Sequence, residues 1–193
     1  MAFDYVKSFY EGGHWAKQVA KRLNNEGVRC EATKVLIAKN YEERDQMTKF
    51  ERDIIFDWSD KCLEVKSSTR DFTDDIAQYP FSSLFVDTVS GFDAKVEKPI
   101  AYVFISQKSG GMICISPKSY EHWVKINAFD NKRKIMEWFY SAPKETLLTV
   151  DVLVSFLLKK QVVVLFLLRY DLDHQSSLKC HVLSFCLQDN RFV

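Results

Sequence analysis

Apolar and polar residues alternate along the N-terminal part of the chain in patterns that predict a helix followed by a strand. Residues 13–25 (GHWAKQVAKRLNN) carry apolar side chains at helical spacing, and Gly27 follows where a helix C-cap is expected. Residues 28–37 (VRCEATKVLI) indicate a strand, whereas residues 38–49 are polar and predict a loop. The chain therefore opens with a helix, a strand and a polar connection.

Two apolar runs on either side of a short polar turn predict a β-hairpin over residues 50–68 (FERDIIFDWSDKCLEVKSS). Residues 50–56 and 62–66 would form its antiparallel strands, with Trp58-Ser59 at the centre of the turn. Directly opposed residues lie on the same side of a sheet. This register pairs Phe56 with Lys61, Ile55 with Cys62, Ile54 with Leu63 and Asp53 with Glu64.

The middle of the chain predicts two more strands and several helices. Residues 99–106 and 112–116 are typical of strands, and the QKSGG segment between them is typical of a hairpin turn. Residues 71–92 predict a helix on either side of Pro80. The pattern then becomes helical over residues 118–141, with apolar anchors at Trp123, Ile126, Ile135, Met136 and Phe139.

The C-terminal part is the most apolar region of the chain. Leu147–Tyr170 predicts a core helix and then a core strand, and a strand such as 162–168 would either complete the core or pair across the two-fold axis of a homodimer. Asp151 and the Lys159–Lys160 pair divide this region into pieces too short to span a bilayer. We therefore expect no membrane insertion, and residues 180–187 (CHVLSFCL) predict a final strand.

Composition supports a folded intracellular protein. The order of elements predicts an α/β or α+β domain on one mixed sheet, and the 193 residues, 47% of them hydrophobic, supply an ample core. Because 27 basic residues nearly cancel 26 acidic ones, the net charge of +1 argues against coating nucleic acid by bulk charge. Five scattered cysteines and an N-terminus without an apolar signal core predict reduced thiols and a cytoplasmic location.

The predicted hairpin has one apolar face and one charged face. Its apolar face carries Ile54, Phe56, Leu63 and Val65 together with Arg52, whereas Asp53, Glu64 and Lys66 share the other face. Opposed carboxylates repel each other, and a divalent cation between them would remove that penalty. Hard oxygen ligands of this kind suit Mg²⁺. An alternative is an ordinary cross-strand ion pair between Lys66 and Glu51.

The spacing of these charged residues resembles that of the PD-(D/E)xK nuclease superfamily. Asp53 is followed by ten residues and then by Glu64-Val65-Lys66, and RDIIFDWSDKCLEVKSS is similar to the motif of Holliday-junction resolvases and related endonucleases. Arg52 stands where the signature has proline. The resemblance covers residues 10–116 and implies a restriction-endonuclease-like mixed sheet flanked by helices.

The same resemblance implies a domain division and a set of site residues. Residues 1–116 would form the nuclease core, and residues 117–193 a helix and strand extension that packs on it or forms a dimer interface. Asp53 and Glu64 would bind Mg²⁺ or Mn²⁺ with the backbone carbonyl of Val65, while Lys66 would orient the attacking water. Glu11 on the first helix is a further candidate ligand. Candidate contacts to DNA phosphates are Lys17, Lys21, Arg22, Arg70, Lys132, Arg133 and Lys134.

These residues together predict a Mg²⁺-dependent DNA endonuclease of restriction, homing, repair or junction-resolving type. The chemistry fits, because phosphodiester hydrolysis uses a metal ion and a neighbouring ammonium group. Two alternatives stay open: a catalytically silent nucleic-acid-binding or interaction module that keeps the nuclease sheet, and a small α/β domain unrelated to nucleases.

Overall fold

The fold is seen in a computed structural model that describes residues 5–34, 43, 47, 52–131 and 133–173. It contains helices, a large mixed sheet and a small antiparallel sheet, which confirms the predicted α+β class. In chain order the elements are α1 (Tyr5–Asn25), β1 (Cys30–Ala32), β2 (Ile54–Phe56), β3 (Ser59–Ser68), β4 (Ser83–Thr88), α2 (Val89–Ala94), β5 (Ala101–Ser106), β6 (Met112–Ile115), β7 (Val124–Asp130), β8 (Ile135–Pro143), β9 (Leu148–Thr149) and α3 (Val150–Asp173).

The strands form two sheets. The larger sheet has the order β1-β2-β3-β5-β6-β9, in which β3 and β5 run parallel and the other neighbours run antiparallel. The smaller sheet has the order β4-β8-β7 and is antiparallel throughout. The parallel pair requires a crossover, and β4 and α2 lie within that connection.

Each face of the larger sheet covers a separate apolar core. One face packs against α1 and α3 through residues that include Leu63, Val103 and Leu157. The other face packs against the smaller sheet and α2 through residues that include Tyr102, Phe92 and Tyr140. Because side chains alternate along a strand, neighbouring residues of β3 belong to opposite faces.

The first helix and its end agree with the prediction. α1 buries Ala16, Val19, Ala20 and Leu23 along one stripe and continues to Asn25. Gly27 has a φ of 89°, and its N–H donates to the carbonyl of Asn24 over 3.0 Å. A left-handed glycine of this kind ends the helix at little steric cost.

The predicted helix over residues 118–141 is wrong. After a 3₁₀ turn at Pro117–His122, this region forms the antiparallel hairpin of β7 and β8. Side chains in β7 alternate between more and less exposed positions, and Val, Ile and Phe favour strands, so the helical spacing of the anchors was coincidental. β8 also pairs with β4, a partner distant in sequence.

The predicted strand over residues 162–168 is also wrong, because α3 continues as one helix through Asp173. The run of valines favours a strand by propensity, but Val150, Leu153 and Leu157 anchor the helix in the core, and Val163 is buried nearly two turns further on. A strand pairing across a two-fold axis is thus not available there. In the part of the chain that is described, no helix is both long and apolar enough to cross a bilayer.

Several other predictions are confirmed in part. Residues 71–92 hold a 3₁₀ turn at Ile76–Gln78 before Pro80 and begin α2 after it, but β4 lies between them. The strand predicted over 28–37 is realised as β1, and β5 and β6 form the predicted hairpin. Residues 35–37, most of the predicted loop 38–49 and the predicted strand 180–187 lie outside the described residues.

Candidate active site

The hairpin of β2 and β3 has the predicted register over its inner part. Ile54 pairs with Leu63 and Ile55 with Cys62, as predicted. The predicted pairing of Phe56 with Lys61 is wrong, since a bulge brings Phe56 opposite Ser59. Trp58 explains the shift: its ring is buried beside Phe56 at a centroid distance of 4.8 Å instead of standing exposed in the turn.

Asp53 lies just before β2 and is tied to β3 by its side chain. Its Oδ2 accepts a hydrogen bond of 2.7 Å from the backbone N–H of Val65. In an extended strand the N–H and C=O of one residue point to the same side. The Val65 carbonyl therefore points toward Asp53 as well, and the structure brings these two predicted metal-site residues together.

Glu64 and Lys66 occupy the face of β3 that looks toward the smaller sheet. Lys66 Nζ lies 2.5 Å from Glu64 Oε1, and the Glu64 side chain is buried whereas a third of the Lys66 side chain is exposed. The two residues are thus in direct contact, with the ammonium group at the edge of the site. The rival partner considered for Lys66, Glu51, lies outside the described residues.

Two residues that sequence reasoning missed, Asp87 and Lys95, complete the site. Lys66 Nζ lies 3.2 Å from Asp87 Oδ1, and Lys95 Nζ lies 3.1 Å from Glu64 Oε2 and 3.6 Å from Asp87 Oδ2. Each ammonium group therefore contacts both carboxylates. We call Glu64, Lys66, Asp87 and Lys95 the ion-pair ring.

The short helix α2 brings Asp87 and Lys95 to the ring from its two ends. Asp87 lies next to the end of β4, where its Oδ1 accepts the backbone N–H of Thr88 at 2.9 Å. Thr88 is the N-cap of α2, and Lys95 follows its last residue. An acid and a lysine flanking six helical residues carry no recognisable motif, so only the fold shows that they meet.

Tyr102 is the fifth polar group beside the ring. It pairs with Glu64 in the parallel register of β3 and β5, and its hydroxyl donates a long hydrogen bond of 3.5 Å to Asp87 Oδ2. Burial raises the pKa of the Tyr102 phenol, and the carboxylates of Glu64 and Asp87 raise that pKa further. The phenol therefore remains a protonated hydrogen-bond donor.

The electrostatics of the ring favour the charged forms of Asp87 and Lys95 despite their burial. Burial alone would raise the pKa of Asp87, but Lys66 and Lys95 outweigh this effect and hold that pKa below its ordinary value. Burial alone would lower the pKa of Lys95, but Glu64 and Asp87 hold it above its ordinary value. Two carboxylates and two ammonium groups thus neutralise one another.

The donor set suits a hard cation with few protein ligands. Glu64 Oε2 is buried, and its partner among the described residues is the Lys95 ammonium group, which lies 3.1 Å away in an ion pair. Among the described residues, no group of three His, Cys, Asp or Glu side chains is placed to hold a metal. Mg²⁺ commonly uses only one or two carboxylates and keeps waters or phosphate oxygens in its other positions. The residues present fit such an ion.

Glu11 and the basic residues of α1 lie away from the ring. Glu11, Lys17 and Lys21 are exposed on α1, which packs against the opposite face of the larger sheet. Arg22 Nη2 forms an ion pair of 2.7 Å with Asp74. The structure does not bring these four predicted residues to the face that carries Glu64 and Lys66.

The remaining basic candidates have different surroundings. The Arg70 guanidinium lies 4.3 Å from the centroid of the Phe81 ring, on the side of the smaller sheet. Arg133 is paired with Asp130 at 2.7 Å and with Glu137 at 3.2 Å. Lys134 lies in the turn between β7 and β8 with a φ of 59°, and Lys132 lies outside the described residues.

Comparison with known proteins identified no relative of this chain. No family model, no curated protein and no solved structure matches the chain, so its candidate chemistry rests on the contacts of Asp53, Glu64, Lys66, Asp87 and Lys95.

Proposed function

We propose that this protein is a metal-dependent nuclease that hydrolyses phosphodiester bonds in DNA, as an endonuclease of restriction, homing, repair or junction-resolving type. One observation carries the proposal: the Asp53 carboxylate is held by the strand segment that carries Glu64 and Lys66. Asp53 is bound to the amide of Val65, and Lys66 is bound to the carboxylate of Glu64.

The order of elements supports the proposal. A first helix is followed by β1, β2 and β3 in antiparallel pairing and, after β4 and α2, by β5 parallel to β3. Apart from the additional strand β4, this is the succession of elements that the nuclease resemblance implies for the core. The motif strand β3 lies between β2 and β5, where a sheet holds side chains in fixed positions.

Each residue of the site has a role in this proposal. Asp53, Glu64 and the Val65 carbonyl would hold Mg²⁺ or Mn²⁺, which when bound neutralises phosphate charge and lowers the pKa of water. Lys66 keeps its ammonium group beside Glu64 and at the exposed edge of the site. It orients the nucleophile and stabilises negative charge that develops on the phosphate.

A second candidate function is a catalytically silent nucleic-acid-binding module. It is favoured by Lys95, whose buried ammonium group already neutralises the carboxylates of Glu64 and Asp87. A protein of this kind would bind DNA without needing a divalent cation. Cleavage that depends on metal therefore separates the two functions.

The cytoplasm is the compartment that we propose for this activity. Among the described residues, Cys30, Cys62 and Cys114 are free thiols. Burial raises the pKa of Cys62 to about 11, so its thiol stays protonated and unreactive near neutral pH. Buried, unreactive thiols suit a reducing compartment.

The deciding experiment is a cleavage assay on plasmid, branched and single-stranded DNA with and without Mg²⁺ or Mn²⁺. We expect metal-dependent cleavage by the wild type and a loss of about hundredfold or more in Asp53→Asn and Glu64→Gln. Glu97→Gln serves as the control, because Glu97 is half exposed and pairs with Arg52 at 3.5 Å. Full activity of both site variants would reject the assignment.

A further inference from the structure

Lys95 is a deeply buried charged group of the ion-pair ring and contacts two carboxylates. Its side chain is 4% exposed, and Nζ lies 3.1 Å from Glu64 Oε2 and 3.6 Å from Asp87 Oδ2. Both oxygens belong to buried side chains from different strands. A single positive charge therefore sits where two hard oxygen ligands converge.

Glu64 Oε2 depends on Lys95 for its electrostatic compensation. The oxygen is buried and forms an ion pair of 3.1 Å with the Lys95 ammonium group, and apart from this contact it has no hydrogen-bond partner among the described residues. A buried carboxylate is stable only when its charge is compensated by such a partner. A cation that displaced the ammonium group would therefore find this oxygen available as a ligand.

Charge balance determines what a divalent cation would do here. The ion-pair ring is neutral, so adding a divalent ion while Lys95 stays in place would leave two uncompensated positive charges in a buried site. If the ammonium group moves out, one positive charge remains, and a phosphate can balance it. Lysine carries its ammonium group on a flexible four-carbon stem, and rotation about the bonds of this stem is the movement that displacement requires.

From this geometry we propose that the Lys95 ammonium group occupies the position of a divalent cation. The divalent cation binds between Glu64 and Asp87 only by displacing this ammonium group. Asp87 is then a metal ligand that the nuclease resemblance does not assign. The inference rests on the proposed function for the identity of the ion, but it concerns metal binding and not cleavage. It also joins the two candidate functions, since the ring with Lys95 in place is the silent state.

Calorimetric titration of the full chain with Mn²⁺ alone tests the proposal. We expect Lys95→Met to bind Mn²⁺ about tenfold or more tightly than the wild type, because one nearby opposite charge already changes the proton affinity of a carboxylate by that factor. Lys98→Met is the matched control: its Nζ donates to the backbone carbonyl of Lys95 at 2.9 Å and forms no ion pair with Glu64 or Asp87. Equal or weaker binding by Lys95→Met would overturn the proposal.

A second variant keeps the test valid if Lys95→Met unfolds without metal. The double variant Lys95→Met/Asp87→Asn removes one charge of each sign and leaves Glu64 balanced by Lys66. We expect it to fold and to bind Mn²⁺ no more tightly than the wild type, because the Asp87 carboxylate is lost as a ligand. A gain in affinity in this double variant would exclude Asp87 as a ligand and overturn the proposal.

Amine acylation followed by mass spectrometry examines the same step in the unmodified protein. Without metal, Lys95 should react slowly because its ammonium group is buried and paired. Mn²⁺ at a concentration that saturates binding should speed the acylation of Lys95 and leave that of Lys98 unchanged. Metal binding with no change at Lys95 would overturn the displacement.

The two proposals fail in different ways. A protein that binds Mn²⁺ more tightly after Lys95→Met yet never cuts DNA would refute the nuclease function and support the displacement of Lys95 by a divalent cation. A protein that cuts DNA with Mg²⁺, while Lys95→Met binds metal no better, would keep the nuclease and refute the role of Lys95.

Discussion

Asp53 and Val65 are joined by a hydrogen bond of 2.7 Å from the Val65 N–H to the Asp53 carboxylate, across 12 positions of the chain. β2 begins only at Ile54, so this side-chain hydrogen bond continues the contact between the two chain segments beyond the backbone pairing of β2 and β3. It brings Asp53 beside Val65, which lies between Glu64 and Lys66 in the sequence. The acid at the start of the hairpin is thus held by the strand that carries the other two site residues.

Substitutions of Asp53 should separate this structural role from charge. Asp53→Ala leaves the Val65 N–H without its acceptor and should lower the free energy of unfolding by about 1–3 kcal/mol. Asp53→Asn keeps an amide oxygen that can accept the hydrogen bond, so it should lower the free energy of unfolding by less than Asp53→Ala does. Urea denaturation measures both. Equal destabilisation by the two variants would show that the hydrogen bond contributes nothing.

The ion-pair ring should behave as one energetic unit. Lys95→Met leaves two buried acids with one lysine and should lower the free energy of unfolding by about 3 kcal/mol or more. Combined with Asp87→Asn, which restores the balance, it should cost about 1–3 kcal/mol less than the sum of the single variants. The exposed pair of Arg29 and Asp57 is the control, and its loss should cost less than about 1 kcal/mol. Additive losses at Lys95 and Asp87 would contradict the coupling.

The ring should keep its contribution to stability over a broad pH range. The pKa of Asp87 in the folded protein lies below its ordinary value of 3.8, so its contribution is present above pH 3.8 and is lost as the pH falls through the folded value. The pKa of Lys95 lies above its ordinary value of 10.5, so its contribution is present below pH 10.5 and is lost as the pH rises through the folded value.

Denaturation of the wild type and Asp87→Asn at several pH values tests this window. The difference in unfolding free energy between them should be constant through neutral pH and should shrink below the ordinary Asp87 pKa of 3.8. Asp57→Asn, a substitution of an exposed acid, provides the baseline. A difference that grows toward acid pH would mean that Asp87 is not held in its charged form.

Neighbouring glycines in the turn between β5 and β6 should respond very differently to alanine. A Cβ at Gly111 would lie 2.7 Å from the Cα of Thr73, whereas a Cβ at Gly110 meets nothing within 4 Å. Gly111→Ala should therefore cost about 3 kcal/mol or more by overpacking against backbone. Gly110→Ala should cost about 1 kcal/mol, because its φ of 73° strains a side chain without a clash. Thermal denaturation gives both values, and equal losses would contradict the close approach.

Basic residues on the two sides of the larger sheet should contribute unequally to DNA binding. In the proposed function, substrate approaches the side on which Lys66 is exposed, and Arg70 lies on that side beside Phe81. Arg70→Gln should weaken binding and reduce the slope of log K against log salt by about one. Lys17→Gln with Lys21→Gln, on the opposite side, should change neither. Fluorescence anisotropy over a salt series measures both, and a larger effect from α1 would place DNA on the other face.

The chain's local patterns were sufficient for the inner part of the hairpin. Alternation of apolar and charged residues between Asp53 and Lys66 predicted the strands, the inner register and the shared face of Glu64 and Lys66, because a strand has a strict two-residue period. α1, its glycine cap and the hairpin of β5 and β6 followed from equally local rules. Local rules were not sufficient at Trp58, whose burial moved the turn.

Contacts between distant segments decided the rest. Residues 118–141 became strands because β8 could pair with both β7 and β4, and residues 162–168 stayed helical because α3 packs along the larger sheet. Asp87 and Lys95 showed no pattern of their own, since an acid and a lysine near a short helix are common in any surface segment. Only the packing of α2 against the larger sheet buries them beside Glu64. At such low solvent exposure an unpaired charge would be strongly destabilising, so the charges are paired.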